Sequence, residues 1–280
     1  MYYPMKTRPI KPQVKKTHNL KQKITNTLED CFDSRAFSTF PYINKGLTSK
    51  QAMNKTNSGN CISLSTFIKD QLKKQYGISS HLVPATVPSY IQRDGFLDIC
   101  HVALLIPINN SSYYLVDPAF YLMEPMLIHT KNPINPVRAV NIHDNNLDTI
   151  YPTLHTSPDR LQLNQYQTMP KHTKYCECYS NEKSDDTWKY YLREIMNPDQ
   201  AISKFFTAIR GEPFFVSTKM ENGICKKDMT IKKHDGDSVS IKMGDQQIYD
   251  GHTLGIPSEL KQQLIDLLQS KNFDPSIVSF

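Results

Sequence analysis

Near residue 77 the apolar residues of this 280-residue chain change their period, and that change limits the folds open to it. Upstream, Leu64, Phe67, Ile68, Leu72 and Tyr76 recur at three- and four-residue steps, the spacing that lines one face of a helix. Asn57 or Ser58 can cap its start and Gly77 can end it, so Cys61 falls in the first turn. Downstream, apolar runs at 99–108 and 113–117 flank Asn109, Asn110, Ser111 and Ser112, the pattern of a β-hairpin. Helical signals followed by strands and then by a mixed portion argue for an α+β fold.

Residues 19–32 carry a second helical stripe, Leu20, Ile24, Leu28 and Phe32, whereas 37–55 give no clear period. Residues 81–91 are β-branched but interrupted by Pro84 and Pro88, which reads as an edge strand. From 118 to 170 the sequence is Pro-rich and offers few elements that can be placed. Residues 188–195 read as a strand, and Asn197-Pro198-Asp199 opens a helix with Ile202, Phe205, Phe206 and Ile209 on one face, closed at Gly211. Asn222-Gly223 and Asp235-Gly236 are hairpin turns between strands at 214–219, 224–233 and 238–243. A last helix starts at Ser258 with Leu260, Leu264, Ile265 and Leu268 inward. The chain thus divides into a basic tail at 1–18, a helical subdomain at 19–80, a β subdomain at 81–195 and an α/β portion at 196–280.

The charge of +6 is concentrated near the start, where Lys6, Arg8, Lys11, Lys15, Lys16, Lys21 and Lys23 face no carboxylate. With Pro4, Pro9 and Pro12 among them, the segment reads as a flexible, solvated extension. Residues 24–280 are nearly balanced in sign, which argues against nucleic-acid binding by the body of the protein. No run approaches the roughly 18 apolar residues of a membrane span. Cysteines at 31, 61, 100, 176, 178 and 225 follow no regular spacing, so they read as reduced thiols and imply a cytoplasmic setting, that of a host cell included.

Cys61, His101 and Asp117 fall where cysteine-nucleophile chemistry needs them. A thiol in the first turn of a helix sits beside unpaired N–H groups and the positive end of the helix dipole, which favour its thiolate. A histidine on a following strand can take the thiol proton, and a carboxylate on the neighbouring strand can orient that imidazole and stabilise its cation. The hairpin imposes a condition. An even loop would set His101 opposite Phe120 and turn Asp117 to the other face of the sheet. One β-bulge or an odd loop sets His101 opposite Ala119 and makes Asp117 its diagonal neighbour on the same face, and this is the expected register. Singly, a buried Cys is a small hydrophobe and a His in an apolar strand is a core residue; the case rests on all three lying on the required elements. Asn60, just before the thiol, is a polar contributor near an oxyanion hole formed with the Cys61 N–H.

These segments resemble the arylamine N-acetyltransferases, within the transglutaminase-like and papain-like cysteine enzymes. The matching stretches are Gly59-Asn60-Cys61, His101-Val102-Ala103-Leu104 and Tyr114-Leu115-Val116-Asp117-Pro118-Ala119-Phe120. Weaker similarity continues through Pro213-Phe214-Phe215-Val216-Ser217-Thr218 and Leu254-Gly255-Ile256-Pro257. The resemblance implies a helical subdomain carrying the nucleophile, an antiparallel β-barrel and a C-terminal α/β lid. It implies that Cys61, with His101 and Asp117 as its triad partners, takes an acetyl group from acetyl-CoA and passes it to an amine, on a small molecule or on a protein. Phe120 matches the aromatic residue lining the acceptor pocket, with Tyr121 and Asn60 as further substrate-binding residues. Two departures accompany it: Asn57-Ser58-Gly59-Asn60 stands where the family has R-G-G-x, and Ala119 and Tyr121 replace glycines.

The same triad also serves a transglutaminase-like or protease-like enzyme acting on protein amides, and an inactive relative that only binds would keep the same fold. No metal is expected: His172, Cys176 and Cys178 lack a fourth ligand, and Glu177 with its polar surroundings suggests an exposed loop. His143-Asp144 and His155 read as solvated, and for Tyr113, Tyr114 and Tyr121 core packing is the default beside a role in lining a pocket.

Overall fold

A computed structural model describes residues 14–92, 94, 99–141, 146–164, 167–181, 183–201, 212–234 and 236–277. The basic stretch at 1–13, His143-Asp144, Asp235 and the expected helical face at Ile202, Phe205, Phe206 and Ile209, with its closing Gly211, lie outside these residues.

The N-terminal segment is helical. α1 (Val14–Ser34) begins inside the stretch expected as a tail and buries Ile24, Leu28 and Phe32, the stripe its sequence carries. Lys21 on this helix reaches Glu124 at 2.5 Å. The region without a period holds β1 (Ala36–Ser38), α2 (Phe40–Lys45), α3 (Ser49–Thr56) and β2 (Ser58–Gly59), elements too short for periodicity to register. α4 (Cys61–Tyr76) ends at Gly77, whose φ of 67° a glycine adopts without strain. Its stripe is buried through Leu72, while Tyr76 in the last turn is exposed and lies under the Lys23 ammonium.

Eight strands form an antiparallel sheet ordered β6-β5-β4-β3-β12-β11-β8-β7. They are β3 (His81–Ala85), β4 (His101–Asn109), β5 (Ser112–Val116), β6 (Met126–His129), β7 (Val137–Val140), β8 (Leu147–Thr156), β11 (Lys174–Ser180) and β12 (Lys183–Tyr191). The two ends of the sheet meet where Leu122 bridges Ala139, with Met123 N–H donating to Arg138 C=O at 2.9 Å and Val140 N–H to Tyr121 C=O at 3.2 Å. The sheet therefore curls into a nearly closed barrel. A small hairpin, β9 (Leu161–Asn164) with β10 (Gln167–Met169), stands apart from it. β3 is not the edge its prolines suggested. It lies between β4 and β12, but its partnership with β12 is the single pair Tyr190↔Ala85, so Pro84 displaces few ladder bonds there. Alternation along β4 divides two cores: Ala103 and Leu105 face the barrel interior with Leu115, Met126, Trp188 and Tyr190, whereas Leu104 and Ile106 pack against α1 and α4.

After the short helix α5 (Pro198–Ala201), β13 (Phe214–Glu221), β14 (Ile224–His234), β15 (Ser238–Met243) and β16 (Gln246–His252) form a meander covered by α6 (Ser258–Ser270). Asn222 and Gly223 turn β13 into β14 with φ of 53° and 75°, the two left-handed residues of a tight hairpin turn. β1 and β2 extend this sheet to six strands: Phe37 pairs with Val216 of β13 on one side and with Gly59 of β2 on the other. Among the described residues no helix is long and apolar enough to cross a membrane.

Candidate active site

Cys61 is the first residue of α4 because Asn60 caps the helix. Asn60 is extended, its Oδ1 accepts the Ser63 N–H at 3.0 Å and its C=O accepts the Leu64 N–H at 3.0 Å. The cap is thus Asn60 and neither Asn57 nor Ser58: Asn57 closes α3 in the left-handed region and Ser58 belongs to β2. Behind the cap, Tyr42 Oη accepts the Asn60 N–H at 2.9 Å and meets Ser63 Oγ at 2.5 Å, and Ser63 Oγ donates to Ser49 C=O at 2.7 Å. A Cβ on Gly59 would stand 2.3 Å from Ser63 Oγ and 2.7 Å from Tyr42 Oη, so only glycine fits.

The hairpin supplies the other two side chains. β4 and β5 pair at Asn109↔Ser112, and the register then shifts between Pro107 and Asn109, so that Pro107 faces Tyr113 and Leu104 faces Val116. Ile108 is the extra residue of a bulge. Continued down the ladder, this register sets His101 opposite Ala119 and turns His101 and Asp117 to the same face, the condition the hairpin had to meet.

His101 Nε2 lies 2.6 Å from Asp117 Oδ2. Tyr190 Oη donates to the same oxygen at 2.7 Å, and the Ala119 and Phe120 N–H groups each donate to Oδ1 at 3.0 Å. A fully buried carboxylate is thereby supplied with four partners. The Cys61 side chain lies near enough to His101 to act on its charge. Because an ionised carboxylate only accepts, Nε2 carries the proton toward Asp117 and Nδ1 is left for the thiol. Burial pushes the imidazole toward its neutral form, but the charge and hydrogen bond of Asp117, helped by Cys61, outweigh it and raise the pKa to about 10. The ring stacks on Phe120 at 4.3 Å between centroids, and Phe120 meets Trp188 edge-on at 5.5 Å. Cys61 is only 5% exposed, within an apolar shell of Ile99, Val102, Met169, Tyr191 and Ile195.

The structure therefore brings together Cys61, His101, Asp117 and Phe120, with Asn60 beside the thiol. Tyr121 is not part of this group. Its backbone takes a φ of 51° and its ring lies in the core between barrel and helices, 5.8 Å from Phe32. Tyr114 is buried in the same core. Tyr190 carries no local signal in the sequence: it lies 73 residues from Asp117, and an apolar alternation does not mark one tyrosine among fifteen. Cys176 and Cys178 are not on an exposed loop. They sit on β11 with both thiols inside the barrel, 3.7 Å apart, since alternate residues of a strand share a face. All six cysteines are buried thiols outside any disulfide, and among the described residues no cluster of three His, Cys, Asp or Glu could hold a metal ion.

No protein-family model matches the sequence, and no curated protein matches it either. Solved structures do match in fold. An arylamine N-acetyltransferase of Mycobacterium smegmatis is 11% identical, with 92% of this chain and 88% of that one covered at a TM-score of 0.53. One from Bacillus cereus, described as having a Cys-His-Glu catalytic triad, is 15% identical over 90% of each chain with a TM-score of 0.54. The Mycobacterium marinum enzyme in complex with CoA is 11% identical over 92% of this chain and 90% of its own, with a TM-score of 0.51. At these identities the likeness is one of fold: helical segment, barrel and C-terminal α/β portion are arranged as in arylamine N-acetyltransferases.

Proposed function

We propose that the chain is an N-acetyltransferase of the arylamine N-acetyltransferase type, with Cys61 as nucleophile, His101 as general acid and base, and Asp117 as the group that orients and charges His101. One observation carries this reading: a buried imidazole, close to a thiol in the first turn of a capped helix, meets through Nε2 a carboxylate held by three further donors. The neighbour in complex with CoA supports acetyl-CoA as the donor.

In the first half-reaction Cys61 Sγ, its proton passed to His101, adds to the thioester carbonyl carbon. The carbon–sulfur bond to CoA then breaks, the CoA sulfur takes the proton from His101, and Cys61 is left acetylated. In the second, an amine adds to that carbonyl, His101 takes the amine proton and returns it to Sγ as the Cys61–carbon bond breaks. Phe120, stacked on the imidazole, keeps water from the ring and forms one wall of the acceptor site. The acceptor is an amine, on a small molecule or on a protein.

Intact-mass measurement after incubation with acetyl-CoA tests the assignment. The native chain is expected to gain one acetyl group and to lose it on addition of an arylamine, while Cys61→Ala gains none. No gain on the native chain, or an equal gain on the variant, would overturn it; loss of the acetyl group in buffer alone, at the same rate, would point to a hydrolase.

A further inference from the structure

The carboxamide of Asn60 is a buried group that this mechanism leaves unused. Asn60 is 1% exposed, and its Oδ1 accepts from Ser63 N–H at 3.0 Å and lies 3.1 Å from Ser49 Oγ. A backbone N–H can only donate, so oxygen must face Ser63 and the NH2 group must point away from it. That nitrogen is buried and has no hydrogen-bond partner among the described residues. Leaving a donor unpaired out of water costs stability. The capping role does not require it, because serine, threonine or aspartate offers the same oxygen without a stranded N–H.

We propose that Asn60 Nδ2, with the Cys61 backbone N–H, forms the oxyanion hole of the acyl-transfer reaction; the inference rests on the acyltransferase reading above. When Sγ adds to the acyl carbonyl, the C=O electron pair moves onto oxygen, and Nδ2 donates a hydrogen bond to that oxygen without giving up its proton. The first N–H groups of α4 lack intrahelical acceptors and lie at the positive end of the helix, which favours a negative oxygen at this place. Ser49 and Ser63 hold the amide through Oδ1, Tyr42 holds the Asn60 backbone N–H, and the space closed at Gly59 keeps the segment from relaxing.

Asn60→Ser tests this, since it keeps a capping oxygen and deletes Nδ2. Two reactions of Cys61 separate catalysis from placement: acetylation by acetyl-CoA passes through an oxyanion, whereas alkylation by iodoacetamide displaces iodide at a saturated carbon and forms none. Acetylation is expected to slow by about 10²–10³-fold while alkylation and the melting temperature stay close to native. Acetylation near the native rate, or a parallel loss in both reactions, would overturn the role. Should Asn60→Ser not fold, Asn60→Asp retains the cap and is read in the same way. If the native chain is not acetylated at all, the acyltransferase reading fails and takes this role with it; if native and variant are acetylated equally, only the role of Asn60 fails.

Discussion

Asp117 receives hydrogen bonds from His101, Tyr190 and two backbone N–H groups, and its charge is the largest of the influences that raise the His101 pKa against burial. Asp117→Asn retains the size and the acceptor oxygen but removes the charge. Acetyl transfer is expected to fall by roughly 10²–10⁴-fold, with the alkaline limb of its pH profile moved to lower pH as burial regains control of the imidazole. Single-turnover acetylation between pH 6 and 10 measures both effects. Gly59 offers a steric test of the same site, because a methyl group there meets Ser63 and Tyr42 well inside van der Waals contact. Gly59→Ala is expected to cost about 1–3 kcal/mol in urea unfolding and to slow acetylation and alkylation of Cys61 together, since the whole capping turn must shift. Cys61, His101 and Asp117 were legible as residue types on suitable elements, whereas the cap of α4 is Asn60 and not Asn57 or Ser58. Tyr190 was not legible, because it reaches Asp117 through sheet order rather than through local pattern.

At the scale of elements, one extra residue in β4 aligns the histidine and carboxylate. Without the bulge at Ile108 the side chains of His101 and Asp117 would stand on opposite faces of the sheet. The sequence could state this condition but did not specify which strand carries the additional residue. The β9–β10 hairpin has its own part: Met169 is buried in the apolar shell that holds Cys61, while Leu161 packs against it. Met169→Ala is expected to cost about 2–5 kcal/mol and to raise the iodoacetamide rate at Cys61 severalfold, measured below the lowered melting temperature. An unchanged alkylation rate would mean that reagents reach the thiol by another side. This hairpin falls in the Pro-rich stretch that gave few sequence signals, and β6, β7 and β8 were hidden there because strands with mixed faces lack a clean two-residue alternation.

For the molecule as a whole, the buried His101–Asp117 pair links stability to pH. His101 in the fold titrates near 10, against 6.5 for an unperturbed imidazole, so the native state holds this proton more tightly than the unfolded chain. That contribution is complete below pH 6.5 and is lost as pH rises through 10. Urea unfolding free energy is expected to decline across this window in the native protein and to decline less in His101→Gln. The architecture adds a second link, in that β1 and β2, encoded before Cys61, complete a sheet whose other strands are encoded after residue 213. Periodicity alone established α1, α4, the β4–β5 hairpin, the β13–β15 meander and α6, because each is long enough, or has a distinct enough turn, for local apolar spacing to specify it. It placed Cys61, His101 and Asp117 on their elements for that reason. The tertiary structure decided what depends on contacts between distant segments: closure of the barrel, the interior position of β3 despite its prolines, the turning of Tyr121 into the core, and the approach of Tyr190 to the carboxylate. Those outcomes follow from pairing order and from which face has space to fill, and neither is written in any local stretch of residues.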